Sequence, residues 1–294
     1  MHRRTVLAGL CSAALLFSTG LSLAQDISAA KKIVSIGGSV TEIVYALEEE
    51  GRLVARDTTS VFPEQAHSLP DVGYMRQLSA EGVLSVGPDA IIAIEGSGPQ
   101  DTVTLLGQAN VPFVTVPEKH SAGGVVEKVE IIGRALGVSE KADKLASELR
   151  EKLDAAAKAS EAIAPAARRK VMFVLSVQNG RLMASGTGSA ADAMIKMAGG
   201  VNAFPDYKGY KSLSDEAIIA AAPDVIVLMD RGGGDVSGAT AILANPAVSQ
   251  TPAGKEKRLV VLDGAFLLGF GPRTPEAIMA LTDAIYGEHA AAMR

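Results

Sequence analysis

The chain has 294 residues, 28 basic against 33 acidic for a net charge of −5, and a single cysteine. That balance offers nothing to nucleic acid, and one cysteine cannot build a disulfide framework or a thiolate metal site. The length is too great for one ordinary domain and suits two of modest size.

The first 24 residues read as an export signal. His2, Arg3 and Arg4 precede an apolar run over 6–23, and Ser22-Leu23-Ala24 supplies the small-x-small pattern, so cleavage is predicted after Ala24. Cys11 lies in this segment, and Leu10 before it is wrong for a lipoprotein box, which needs a small residue there. The exported chain of 270 residues is then expected to have no thiol, with 26 basic against 33 acidic residues. No later apolar run is long enough to cross a bilayer.

Residues 31–36 form a short buried strand ending at Gly37-Gly38, and Ser39 is placed as the N-cap of a helix through Leu47. A second strand starts at Leu53. Residues 90–94 and 111–116 are strands with a helix near 103–109 between them, and strands apolar on both faces argue for a parallel α/β sheet. Val125, Val129, Ile132 and Leu136 line the inward face of a helix that Gly137 stops. Ser139 is then expected to cap a helix of roughly twenty residues, about 30 Å long. Its apolar stripe holds Leu145, Leu149 and Leu153. Coming midway along the chain, it is placed as the connection between two lobes.

A second α/β pattern follows, with strands at 169–175, 182–184, 225–229 and 259–262 and helices at 189–198 and before Ala222. A terminal helix is capped by Thr274, with Pro275 at its first position, and runs to Tyr286. The predicted fold class is α/β: two lobes, each with a mainly parallel sheet flanked by helices, joined by one long interlobe helix. The boundaries are 25–137 for the N-terminal lobe, 138–164 for the linking helix and 165–294 for the C-terminal lobe.

One unit occurs twice. Residues 79–92 run from Ser79 and Glu81 through Pro88-Asp89 into an apolar strand, and residues 214–227 repeat this with Ser214, Glu216 and Pro223-Asp224. In each copy the serine stands nine residues before the proline and two before the glutamate. Only the first copy is preceded by a glycine turn with Tyr74 and Arg76.

The chemistry is sparse. His67, His120 and His289 have no partners at metal-ligand spacing, and neither a Gly-x-Ser-x-Gly elbow nor a Walker loop is present. Gly186-Thr187-Gly188-Ser189-Ala190-Ala191 loosely matches a dinucleotide loop, a pattern that would support a secreted nucleotide-dependent enzyme. In open parallel sheets ligands bind beyond the carboxyl ends of the strands, where Glu95-Gly96-Ser97-Gly98 leaves the first lobe and Arg231-Gly232-Gly233-Gly234 the second. Arg231 over such a cleft suits carboxylates, which arginine holds in a bidentate fork. Tyr74 could ligate ferric iron as a phenolate, given a guanidinium to favour ionisation of a group with an ordinary pKa of about 10. Arg76 and Arg231 are both candidates for that charge.

Four segments carry a resemblance: GYMRQLSAEG at 73–82, SGTGSAADAM at 185–194, GYKSLS at 209–214 and FGPRTP at 270–275. Through them the whole exported chain resembles the periplasmic binding proteins for iron-siderophores and cobalamin, and within these the haem-binding branch of bacterial ABC uptake systems. The resemblance implies a non-enzymatic periplasmic protein that captures haem between its lobes. The haem is cargo, with no intrinsic cofactor. Tyr74 would be the axial ligand to the haem iron, with Arg76 and Arg231 assisting. It also implies that Glu81 and Glu216 dock on the permease dimer of an inner-membrane ABC transporter with its ATPase subunits. Some relatives bind a second haem through a histidine of the second lobe, and the corresponding segment here, LSVQNG at 175–180, has none. A ferric siderophore or cobalamin is the alternative cargo.

Overall fold

The computed structural model describes residues 26–178, 180–230 and 236–287. The predicted signal segment, Arg231 and His289 lie outside the described residues.

The first half is a βα succession: β1 (Ile33–Ile36), α1 (Gly38–Ala46), β2 (Leu53–Arg56), α2 (Ala80–Ser85), β3 (Ala90–Ile94), α3 (Gln100–Gln108), β4 (Phe113–Val116) and α4 (Ala122–Leu136). Its sheet has the order β2-β1-β3-β4, all parallel. β1 and β3 are buried along their whole length, as central strands covered on both faces must be. Gly137 ends α4 in the left-handed region at φ 77°, which glycine adopts without Cβ strain.

The connecting helix α5 spans Ser139–Glu161, 23 residues. Its buried stripe of Ala142, Ala146, Leu149, Leu153 and Ala156 packs on α4 and, further along, on the C-terminal helix. Small alanines let the helices approach closely; Ala142 sits so near Gly133 of α4 that a Cβ there would lie 2.1 Å from it.

The second half contains β5 (Lys170–Gln178), β6 (Arg181–Ser185), α6 (Ala190–Met197), β7 (Val201–Asn202), β8 (Tyr210–Ser212), α7 (Asp215–Ala221), β9 (Val225–Asp230), α8 (Val236–Leu243), α9 (Pro252–Lys255), β10 (Leu259–Asp263), α10 (Gly264–Leu268) and α11 (Thr274–Tyr286). Its sheet runs β10-β9-β5-β6-β8, with β7 beside the start of β5. β10, β9 and β5 are parallel, whereas β5-β6 and β6-β8 are antiparallel. The second sheet is therefore mixed, because a tight reversal at Gly180, φ 74°, folds β6 straight back on β5. A single apolar cluster runs from Ile33 and Val44 through α4 and α5 to Val171, Leu267 and Ile285, so one core serves both lobes.

The duplicated unit is built twice in the same way. Ser79 accepts the Gly82 N–H at 3.3 Å to cap α2, and Ser214 accepts the Ala217 N–H at 3.3 Å to cap α7. Asp89 accepts the Lys31 and Lys32 N–H groups at 3.1 Å, and Asp224 accepts that of Lys170 at 2.8 Å, each tying the strand entry to the lobe's first strand. Three caps differ from expectation. α1 starts after Gly37, φ 105°, and Ser39 is buried in its first turn. α5 is preceded by Val138 with no side-chain cap, and α11 by Arg273.

Candidate functional site

The stretch carrying Tyr74 is held by a carboxylate clip. Asp71 accepts the Gly73 N–H at 2.8 Å and the Thr58 hydroxyl at 3.1 Å on one oxygen, and Arg56 Nη1 at 2.9 Å on the other. Arg56 is itself buried and also donates to the carbonyls of Asp57 and Ala66. Gly73, at φ 100°, makes the turn that follows. The segment is then pinned to the loop leaving β3, with Gly98 N–H on the Met75 carbonyl and Leu78 N–H on the Gly98 carbonyl, both 2.9 Å. From this fixed backbone Tyr74 stands 41% exposed, comparable with Phe62 at 40% and Tyr210 at 36%. A hydrogen-bonded main chain thus carries an exposed phenol.

Arg76 is exposed two residues on and reaches the opposite lobe electrostatically. Its charge acts on Tyr210, the first residue of β8. Burial pushes the Tyr210 phenol above its usual range, opposed by hydrogen bonds with Ser189 and the Ala191 N–H and by Arg76. The Tyr210 ring packs against Phe173 with centroids 6.5 Å apart. Phe62, in the loop after β2, is a further exposed ring, lying under Arg273 of the second lobe. Phe62, Tyr74 and Tyr210 thus bring aromatic surface to the junction of the lobes, beside the cations Arg76 and Arg273. A flat, apolar, anionic molecule is what such walls take up, by stacking and by cation–carboxylate pairing.

Glu81 and Glu216 are both exposed in the first turns of α2 and α7. The Glu216 carboxyl is held below its usual range, first by its own N–H and then by Ser214. Both glutamates suit the positive end of a helix and remain free to meet an external cation.

The glycine loop before α6 does not make a nucleotide cradle. Gly186 N–H goes to the Gly209 carbonyl, Thr187 N–H to that of Tyr207, both at 2.7 Å, and Gly188 N–H to Asp192 at 3.0 Å. A phosphate loop needs such donors free. The glycines serve packing instead: a Cβ on Gly186 would fall 2.2 Å from the Tyr207 carbonyl. Ser189 caps α6 through Asp192 N–H and shares a 2.5 Å contact with the buried Ser185 hydroxyl.

A cavity of about 590 Å³ opens beside this loop, between His120 and Ser121 before α4, Leu153 and Ala157 of α5, and Asp192 and Lys196 of α6. Tyr74 and Arg76 do not line it. It flanks the junction on the side of the connecting helix.

Residues that sequence reasoning missed lie at the same junction. Glu42, Phe62, Lys128 and Tyr210 had no assigned part, although Tyr210 falls within a segment of the resemblance. Glu42 and Arg273 meet from opposite ends of the chain, so no local spacing could have paired them.

Residues 33–265 match the family model described as "Periplasmic binding protein", and the chain belongs to that family. Among curated proteins it is similar to an uncharacterized ABC transporter substrate-binding lipoprotein, YvrC, of Bacillus subtilis (strain 168), 29% identical over 87% of this chain and 80% of the other. It is also similar to a vitamin B12-binding protein of Yersinia pestis (strain Pestoides F), 24% identical over 74% and 75%. Among solved structures it resembles the periplasmic heme-binding protein BhuT in complex with two hemes, at 39% identity and a TM-score of 0.82 over 87% of this chain and 97% of that one. It likewise resembles apo RhuT of Roseiflexus sp. RS-1, a periplasmic heme-binding protein, at 35% identity and a TM-score of 0.83 over 89% and 99%. The family and these relatives are substrate-binding proteins, which places this chain in transport with an extracytoplasmic location.

Proposed function

We propose that this protein captures haem in the cleft between its lobes and hands it to the permease of an ABC transporter, without chemical turnover. On this reading residues 1–24 are removed on export to the periplasm, 25–137 and 165–294 are the lobes, and 138–164 is the linking segment. The observation that carries it is Tyr74, an exposed phenol on a clipped, rigid turn at the lobe junction. Tyr74 ligates the haem iron as phenolate, and Arg76 favours that ionised form or pairs with a propionate. Arg231, at the end of β9 in sequence, is the second cation proposed for these tasks. Tyr210 and Phe62 offer aromatic faces to the porphyrin.

The test is titration of the chain from Gln25 onward with hemin. We expect a saturable Soret shift, and Tyr74→Ala should weaken affinity by at least roughly tenfold and alter the charge-transfer bands. An unaltered spectrum in the variant removes Tyr74 as ligand. The endpoint also reads stoichiometry: the absence of histidine at 175–180 favours one haem, whereas the BhuT relative holds two. A second reading, cobalamin as cargo, draws on the vitamin B12-binding relative. Saturable cyanocobalamin binding with no hemin response would establish it instead.

A further inference from the structure

Two consecutive arginines lie between α5 and β5, and the fold uses only one of them. Arg169 donates from Nη1 to the Ile285 carbonyl and lies over the Tyr286 ring at 5.8 Å, tying the start of β5 to the end of α11. Arg168, one residue earlier, is part-buried, and its side chain has no hydrogen bond or ion pair among the described residues. Its Nε is the one buried side-chain nitrogen or oxygen among the described residues that lacks a hydrogen-bond partner. Buried donors are ordinarily paired, because an unpaired one has given up its water for nothing.

Arg168 lines the cavity of about 590 Å³ beside the connecting helix. That volume is within the ordinary range for small-molecule sites, roughly 300–1,000 Å³. The walls have two characters. Leu153 of α5, Met197 of α6 and Ile278 of α11 give an apolar face drawn from three helices. Ser121 and Ser189, the caps of α4 and α6, line the polar side, so the partly positive ends of two helices converge there. Lys196 is already balanced. It holds Asp192 at 2.8 Å, and that carboxylate also accepts the Gly188 N–H and Asn202 Nδ2, each at 3.0 Å. Glu161 lines the cavity as well, but it is exposed and solvated.

The unmet demand is for a single negative charge at Arg168. Glu161 needs no counter-ion in water, and its own charge disfavours a second negative charge nearby. We propose that this cavity is a binding site distinct from the cargo cleft at Tyr74, and that its ligand is a small carboxylate with an apolar body. The carboxylate takes the Arg168 guanidinium in a bidentate fork, and the apolar body lies along Leu153, Met197 and Ile278. Inorganic phosphate would leave that apolar face uncovered, and a neutral lipid would leave the guanidinium unpaired.

The probe is decanoate, titrated by calorimetry into the chain from Gln25 onward. One saturable site is expected, and 1-decanol, the same chain without the charge, should bind at least roughly tenfold more weakly. Arg168→Gln should weaken decanoate binding by a similar factor. Ala157→Phe changes an exposed position of α5 that lines the cavity, so it narrows the space without disturbing the core. It should lower decanoate affinity likewise, and it decides the matter if Arg168→Gln does not fold. Both variants should keep the parental hemin titration, and protein saturated with hemin should still take up decanoate. The proposal is overturned by a parent with no saturable decanoate binding, by variants with unchanged decanoate affinity, or by hemin binding that weakens in step. Loss of decanoate binding on hemin saturation would also overturn it, by making the cavity an extension of the cargo cleft. Because decanoate is first titrated without hemin, failure to bind hemin would sink the haem reading and leave this one standing.

Discussion

At the scale of single residues, the junction holds ionisable groups whose burial is measurable in solution. His120 packs on Phe270, and burial holds its imidazole below the usual value of 6.5, although Glu118 3.8 Å away pulls the other way. The folded chain therefore binds this proton less tightly than the unfolded chain. Stability attached to the neutral ring is complete above about 6.5 and is lost as pH falls from there toward the depressed folded value. We expect urea unfolding to show a decline in stability between pH 7 and pH 5 that is smaller in His120→Gln; an equal decline would assign the effect to other groups. Glu42 is displaced upward, by burial first, with Arg273 opposing. Lys128 is displaced downward, again by burial, with Glu118 opposing. Nothing in the sequence around these three positions distinguishes them from surface charges. Their burial is a product of lobe–lobe contact, which pattern reading along one chain cannot see.

At the scale of elements, most of the architecture was legible because it is encoded locally. Continuous apolar runs gave β1, β3, β5 and β9. Gly137 gave the end of α4, and the alanine–leucine stripe gave α5. What was not legible has a physical reason in each case. β8 has three exposed residues and no apolar alternation to announce it. The antiparallel return of β6 depends on a reversal at Gly180 beside a strand that reads equally well as parallel. Ser39 looks like an N-cap by type, but Gly37 takes that position because a Cβ there would lie 2.6 Å from Ile94 Cγ2. Of the site, only the resemblance singled out Tyr74 as a ligand; spacing alone gave an arginine near a cleft.

The serine caps offer a graded test at this scale. Ser79→Ala should cost about 1 kcal/mol, the ordinary value of an exposed N-cap. Ser189→Ala removes a cap and also deprives the buried Ser185 hydroxyl of a partner. Its cost should be larger, about 2–3 kcal/mol in all. Equal shifts in urea midpoint at constant slope would mean that the Ser185–Ser189 contact contributes nothing beyond the cap.

At the scale of the whole molecule, one core links lobes that the chain visits in turn, and two equivalently built corners project from it. α2 and α7 share the same serine cap, the same exposed glutamate and the same strand-entry aspartate. On the docking reading, Glu81→Arg with Glu216→Arg should abolish permease-dependent haem uptake in cells while hemin affinity of the purified double variant stays unchanged. A parallel loss of affinity would show that these glutamates support the cargo site instead.

The doubled corner has a further consequence for encounter statistics. A carrier whose two contacts are near copies, meeting a receptor with twofold symmetry, has two acceptable landing poses related by a half-turn. Orientation is what slows specific protein docking below the diffusion limit, so a second pose raises the share of productive collisions by about twofold. Since Tyr74 sits in one lobe only, on the docking reading the two poses would present the cargo to opposite halves of the receptor, and delivery would have no handedness.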